Sequence, residues 1–83
     1  MEPQEINVGI DTGSKQLDIF VRPTGQFFSV TNDKNGIKHD IKRLQPLKPK
    51  RVLIESTERL ELEFVCAAHK AELPIIVCNI IPN

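Results

Sequence analysis

The 83-residue chain is long enough for one small domain with a modest core, and too short for two domains. Its 11 lysines and arginines balance its 11 aspartates and glutamates, so net charge does not indicate a nucleic-acid or membrane partner, although it excludes neither. The longest apolar run, LPIIVCNII, is too short to span a bilayer. Because MEPQEIN lacks the basic and apolar regions of a signal peptide, we expect a cytoplasmic protein.

The first part of the chain predicts three strands. Residues 5–11 place Ile6, Val8 and Ile10 on one face. The turn-forming residues DTGSKQ follow, and then LDIFVR and QFFSVT have β-type composition on either side of the turn signal PTG. Because these links are too short for a parallel crossover, consecutive strands should pair antiparallel.

The rest of the chain alternates helices and strands. Asn32 is the predicted N-cap of a first helix with an apolar face of Ile37, Ile41 and Leu44 and a solvated face of Lys38, Asp40 and Lys42. RVLIE is predicted to be a short fourth strand and IIVCNII a fifth strand. Between them, STERLELEFVCAAHKAEL is predicted to form a second helix, with Glu58 and Glu61 in its first turn, where the helix dipole favours negative charge. The order β-β-β-α-β-α-β predicts an α/β fold with one mixed sheet in the order 3-2-1-4-5.

Two acidic residues follow apolar strands at equivalent places. Asp11 follows the first strand and Glu55 ends the fourth. If these strands are parallel neighbours, both carboxylates emerge at the carboxyl edge of the sheet, where open α/β sheets bind ligands. Two close carboxylates repel unless a cation separates them, and hard oxygen ligands favour Mg²⁺ or Mn²⁺. The competing interpretation is that Asp11 caps a turn and Glu55 caps the following helix.

Four segments resemble one enzyme family: VGIDTGSKQLDIFV, TNDKNGIKHDIKRL, VLIESTERLE and LPIIVCNIIPN. Together they look like the N-terminal part of the DEDD-type insertion-sequence transposases, which include the pilin-gene invertases and whose catalytic domain is similar to the RuvC Holliday-junction resolvase. The resemblance covers nearly the whole chain. Its matching positions are Asp11, Leu17, Asp18, Asn32, Gly36, Glu55, Thr57, Glu61, Pro74 and Asn79.

The resemblance implies a ribonuclease H-like domain of a transposase or site-specific recombinase. Asp11 and Glu55 would be its first two catalytic and metal-binding acids, with Mg²⁺ or Mn²⁺ as cofactor. DNA would be the partner, with a guide RNA by analogy. Residues 1–83 would form the N-terminal half of the catalytic domain, without the family's two further acids and downstream serine domain, so we expect no DNA cleavage by these residues alone. An exposed edge at the fifth strand would favour a homo-oligomer.

The sequence departs from the family pattern in three respects. Glu58 replaces a glycine after Thr57, and Leu60 replaces an aromatic residue, so the loop beside Glu55 should differ in shape. The chain ends in CNIIPN where the family has VNPxxVR. The third departure is that the family's remaining two acids lie beyond the sequence.

Two other functions remain open. GIDTGS also resembles the phosphate loop of actin-like ATPases and sugar kinases, in which glycine and serine would cradle phosphates. Alternatively, the chain is an inactive domain that only folds or pairs with itself.

The remaining polar and sulfur-containing residues have simpler interpretations. We expect Asp18 on the polar side of the second strand, Ser14 and Lys15 in a solvated turn, and both histidines on helix surfaces. Cys66 and Cys78 should be buried thiols because both sit among apolar residues, and the absence of a histidine at metal spacing argues against a zinc site. The basic cluster comprises Lys42, Arg43, Lys48, Lys50 and Arg51; it is a solvated helix end that could also contact phosphate.

Overall fold

The computed structural model describes residues 5–55 and 58–78. Within them the elements follow in the order β1 (Asn7–Thr12), β2 (Gln16–Arg22), β3 (Gln26–Thr31), α1 (Lys34–Leu44), β4 (Arg51–Glu55), α2 (Leu62–Lys70) and β5 (Ile75–Cys78). A short 3₁₀ turn, Gln45–Leu47, follows α1. The predicted order of strands and helices is confirmed. Residues 56–57 of the predicted second helix and 79–81 of the predicted fifth strand lie outside the described residues.

The five strands form one mixed sheet in the predicted order β3-β2-β1-β4-β5. β1 pairs antiparallel with β2, and β2 with β3, because their links are short hairpins. β4 pairs parallel with β1 and with β5, since helical crossovers return the chain to the same end of the sheet. The parallel β1–β4 pair brings the residues after Ile10 and Ile54 to the same edge.

The core lies between one face of the sheet and the two helices. Alternate residues of β1, β2 and β4 are buried against α1 and α2, in the period of two that a half-covered strand requires. The buried hydrophobic residues are Val8, Ile10, Leu17, Ile19, Val21, Ile37, Ile41, Leu44, Val52, Ile54, Phe64, Ala68 and Leu73.

The opposite face of the sheet, here called the open face, is not covered by any element of the described chain. Phe20, Phe27, Leu53 and Ile76 are exposed on it. The register joins them through Gly9 into one apolar row that crosses all five strands. The rings of Phe20 and Phe27 lie 4.8 Å apart between centroids.

The N-cap of α1 is Asp33, so the prediction of Asn32 was wrong. Asp33 has extended backbone, and its carboxylate accepts a 2.8 Å hydrogen bond from the Gly36 amide. That bond and a second one from the Thr31 hydroxyl lower the pKa of Asp33. Asn32 does not cap the helix because its side-chain amide points to other carbonyl oxygens, at Gly13 and Leu60.

Helix α2 starts later than predicted. Glu58 and Arg59 have φ of 48° and 68°, in the left-handed region, which no right-handed helix can include. Glu58 and Leu60 therefore lie in a turn before α2, and Glu61 is a buried residue at its N-cap. From α2, Phe64 and Ala68 belong to the core.

Asp40 and the two cysteines also depart from prediction. Asp40 was expected in solvent, yet its exposed fraction is 0%. The buried strip of α1 is wider than its apolar residues suggest and includes the position three residues after Ile37. Cys66 and Cys78 are exposed rather than buried. Cys66 lies on the outer side of α2, and Cys78 lies on the open face, paired in register with Glu55.

Candidate metal site at the carboxyl ends of β1 and β4

Asp11 lies near the end of β1, on the open face of the sheet. The strand buries Val8, Ile10 and Thr12, and alternation places Asp11 on the solvent side between the last two. Asp11 is exposed, while its backbone pairs with Asp18 of β2 and the preceding residue, Ile10, pairs with Ile54 of β4. A central strand therefore holds this acid.

Glu55 occupies the matching place on β4. Ile10 and Ile54 are partners in the parallel ladder, and each acid is the next residue along its strand. Asp11 and Glu55 line the same open cavity of about 430 Å³. The predicted adjacency of the two strands and the common edge of the two acids are confirmed.

Asp18 of β2 lies next to Asp11 in the sheet, but its carboxylate already accepts hydrogen bonds from other side chains. It pairs in register with Asp11 on one side and with Ser29 on the other. Its Oδ1 accepts hydrogen bonds from Ser29 Oγ at 2.7 Å and from Gln16 Nε2 at 2.9 Å. These bonds place Asp18 on the polar side of its strand, as predicted, and direct that oxygen toward β3.

Asp11 and Glu55 suit a hard divalent cation by donor type and by position. Carboxylate oxygens are the ligands that Mg²⁺ and Mn²⁺ prefer. Within residues 5–55 and 58–78 there is no group of three or more histidine, cysteine, aspartate or glutamate side chains that could hold a metal ion. The pair therefore provides part of a coordination sphere and leaves most positions to water or to further ligands.

An apolar wall lies directly beside the two acids. Phe20 and Leu53, both partly exposed, line the same cavity, together with Gly9 and Cys78. Apolar surface next to a carboxylate pair reduces the water around it and strengthens its electrostatic interaction with a cation. Cys78, expected in the core, is instead an exposed thiol at the rim of this site.

Asn32 connects the two loops that follow the acids. Its side-chain nitrogen donates to Gly13 O at 2.9 Å, in the β1–β2 turn, and to Leu60 O at 3.1 Å, in the turn before α2. Its backbone amide donates to Lys15 O at 3.0 Å. One residue thus ties the loop after Asp11 to the turn after Glu55. The sequence marked Asn32 as a family position, but the helix-cap interpretation concealed this role.

The turn beside Glu55 shows why a glycine would suit position 58. Glu58 has a φ of 48°, a conformation that glycine adopts without strain and that other residues adopt at a cost. The family pattern has glycine there. Position 58 therefore has a left-handed backbone conformation that favours glycine, although its residue is glutamate.

The β1–β2 turn has little capacity to cradle phosphate. The Gly13 amide already donates to Gln16 O at 2.9 Å. Thr12 is buried, and its hydroxyl oxygen has no hydrogen-bond partner among the described residues. Ser14 and Lys15 are exposed, as expected for a solvated turn.

The histidines and the basic cluster lie at the surface. His39 and His69 are exposed, as predicted. The basic cluster is exposed but divided, since Lys50 forms a 2.7 Å ion pair with Glu5 and the Arg43 guanidinium lies 3.8 Å from the centre of the Phe28 ring. No helix in the described ranges is long and apolar enough to cross a membrane.

Two solved structures share this architecture. T. thermophilus RuvC in complex with a Holliday junction substrate aligns with 92% of this chain and 65% of that chain, at 17% sequence identity and a TM-score of 0.58. The chain has a RuvC-like, ribonuclease H-like fold. A second Thermus thermophilus RuvC structure aligns with 89% of this chain and 61% of its own, at 19% identity and a TM-score of 0.55.

The chain therefore spans less than two thirds of either RuvC chain. Identities this low establish the fold alone. Neither a protein-family model nor a curated protein matches the sequence.

Proposed function

We propose that this chain is the N-terminal part of the catalytic domain of a DEDD-type transposase or site-specific recombinase, in which Asp11 and Glu55 bind a divalent metal ion. The observation that supports the proposal is the position of the two acids. Each directly follows one member of the Ile10–Ile54 pair on parallel strands, both are exposed, and both line one cavity. A turn-capping role alone would not require two exposed carboxylates on neighbouring strands.

The residues at and around this site would have separate roles. Asp11 and Glu55 would hold Mg²⁺ or Mn²⁺, which when bound can activate an attacking oxygen and stabilise a phosphoryl leaving group. Asn32 would keep the two flanking loops at a fixed separation through its bonds to Gly13 and Leu60. Asp18, with its hydrogen bonds to Ser29 and Gln16, would stay outside the metal's ligand set.

DNA is the proposed substrate of the longer protein. Support comes from the RuvC-like fold, since one of the similar structures is a complex with a Holliday junction substrate. The sequence resemblance extends the proposal to a guide RNA and to a homo-oligomer. Two acids are half of the family's four, so residues 1–83 alone should bind metal weakly and should not cleave DNA.

The geometry of the β1–β2 turn favours this proposal over the phosphate-loop alternative. A phosphate loop needs free backbone amides and an accessible hydroxyl. Here the Gly13 amide is used within the turn and the Thr12 hydroxyl is buried. We therefore expect no binding of ATP to this chain, measured by isothermal titration calorimetry.

The proposal is tested by conservative substitutions in a longer protein that contains this chain. Asp11→Asn and Glu55→Gln keep the size of each side chain but remove the charge that holds the metal, so each should abolish recombination. Asp18→Asn is the matched control and should retain it. Circular dichroism must show that all three variants fold. Normal recombination by folded Asp11→Asn would reduce Asp11 to a turn-forming residue and refute the proposal.

A further inference from the structure

A second cavity of the described chain lies between the helices, and neither of the two acids lines it. It is a groove of about 700 Å³ between α1 and α2, here called the helical groove. Its α1 wall carries residues at i, i+3, i+4, i+7, i+8 and i+11 from Lys34 to Gln45, which is a single helix face. At 1.5 Å per residue this wall is roughly 16 Å long, about three turns of a helix.

The floor of the groove is apolar and the rim is basic. Ile37 and Ile41 form its base and are only 2% and 8% exposed, so the accessible apolar surface comes mainly from Leu62, which is 50% exposed, and from the half-buried Ala67. The rim carries Lys34, Lys38, Lys42 and Lys70 against the single acid Glu63, so four positive charges and one negative charge give a net +3. The chain as a whole has net charge 0, so positive charge is concentrated here. Within the described ranges none of these lysines forms an ion pair.

This combination selects one class of occupant. The helical groove lies between two helices and has small side chains at Cys66 and Ala67. Grooves of this kind bind amphipathic helices, which insert side chains at i, i+3, i+4 and i+7. Four unpaired lysines on the rim are complementary to acidic residues that flank such an apolar stripe. We propose that the helical groove docks an acidic amphipathic helix of a partner protein.

DNA fits the groove less well. A phosphate backbone would pair with the lysines but would leave the half-exposed Leu62 against hydrated, charged groups. The groove contains no aromatic side chain on which a base could stack and no arginine for a bidentate phosphate contact. The proposal is independent of the metal site, which lies on the other face of the sheet.

The two cysteines of the chain provide a probe of the helical groove and an internal control. Cys66 lies in the helical groove, and Cys78 lies at the acidic cavity on the open face; both thiols are exposed. A bound helix should shield the first thiol and leave the second accessible. Alkylation by iodoacetamide, followed at each cysteine by mass spectrometry, therefore reports occupancy of the groove with an internal reference.

The test peptide is a designed helix of about 15 residues with leucines at i, i+3, i+4 and i+7 and glutamates on both sides of them. Saturating peptide should slow alkylation of Cys66 and leave Cys78 unchanged. A peptide with lysine in place of glutamate should protect neither. The double variant Lys38→Glu/Lys42→Glu should weaken the affinity for the acidic peptide by about tenfold. The matched charge reversal Lys15→Glu/Lys48→Glu, outside the groove, should not.

Three results would overturn the proposal. Equal protection by the lysine peptide would show that the basic rim does not select the partner. Protection of Cys66 by duplex DNA, but not by the acidic peptide, would make the groove a nucleic-acid interface. Protection at high protein concentration without any peptide, accompanied by dimerisation in sedimentation, would show that a second copy of the chain occupies it.

Discussion

The buried carboxyl group of Asp40 predicts that this fold loses stability as pH rises. Asp40 has an exposed fraction of 0%, and neither carboxyl oxygen has a hydrogen-bond partner among the described residues. Burial raises the pKa of Asp40 from 3.8 to about 7, against the opposing charge of Arg43. The neutral carboxyl is therefore favoured in the folded chain and the carboxylate in the unfolded chain.

The sign and size of the effect follow from this difference. Because the folded state holds the proton more tightly, the stabilisation is complete below pH 3.8 and is lost as pH rises to about 7. A shift of about three pH units corresponds to about 4 kcal/mol, of which more than half is lost between about pH 5 and pH 8. A domain of this size has a total stability of roughly 4–12 kcal/mol, so the loss is a large share.

Urea denaturation at about pH 5, 6, 7 and 8 measures this dependence. The free energy of unfolding of the unmodified chain should fall by about 2–3 kcal/mol across the range. Asp40→Asn removes the ionisable group, so its free energy of unfolding should lose this pH-dependent decrease, whatever its absolute value. Asp18→Asn, at a partly exposed strand position, should keep the unmodified slope. An unmodified chain with flat stability, or an Asn variant with the same slope, would refute the reasoning.

Four further predictions follow from the loops and strand edges. Asn32→Ala removes two hydrogen bonds between loops, so it should lower the free energy of unfolding by about 1–2 kcal/mol and speed amide hydrogen exchange in both loops. Glu58→Gly should raise that free energy by up to about 1 kcal/mol, measured by urea denaturation, because it relieves a left-handed φ. Gly36→Ala should lower it by about 1–3 kcal/mol, since a Cβ there would collide with the carbonyl and hydroxyl oxygens of Thr31. The exposed edge strands and apolar row should produce concentration-dependent self-association in sedimentation.

The three substitutions each have a control within the chain. Gln45→Ala, which removes a long exposed hydrogen bond, should have little effect beside Asn32→Ala. Glu63→Gly, inside α2, should destabilise by about 1 kcal/mol where Glu58→Gly stabilises. Gly9→Ala has open space for its Cβ and should be tolerated where Gly36→Ala is not. A strict monomer at high concentration would contradict the self-association prediction.

The architecture could be predicted because it follows from chain connectivity. Short links force antiparallel hairpins, and helical crossovers force parallel neighbours, so the sheet order and the common edge of Asp11 and Glu55 follow from local patterns. Strand alternation likewise puts Leu17, Ile19 and Val21 on one face of β2, and that face is the buried one.

The features that the sequence did not predict depend largely on contacts between distant segments of the chain. The burial of Asp40 requires knowing how much of α1 is covered, and the bonds of Asn32 join segments 19 and 28 residues away. Cys78 belongs to an apolar run that is typical of a strand covered on both faces, whereas one face is open in the described chain. The late start of α2 depends on backbone angles at Glu58 and Arg59 that no side-chain pattern encodes.

The central claim, that Asp11 and Glu55 bind a divalent ion, is tested most directly by nuclear magnetic resonance of the chain with Mn²⁺. Paramagnetic broadening should be greatest for amides at the ends of β1 and β4 and small along the helical groove, with weak affinity because few protein ligands contribute. Asp11→Asn should abolish the localised broadening, and Asp18→Asn should preserve it. Broadening that is unchanged in Asp11→Asn, or that is centred away from these two strand ends, would contradict the account.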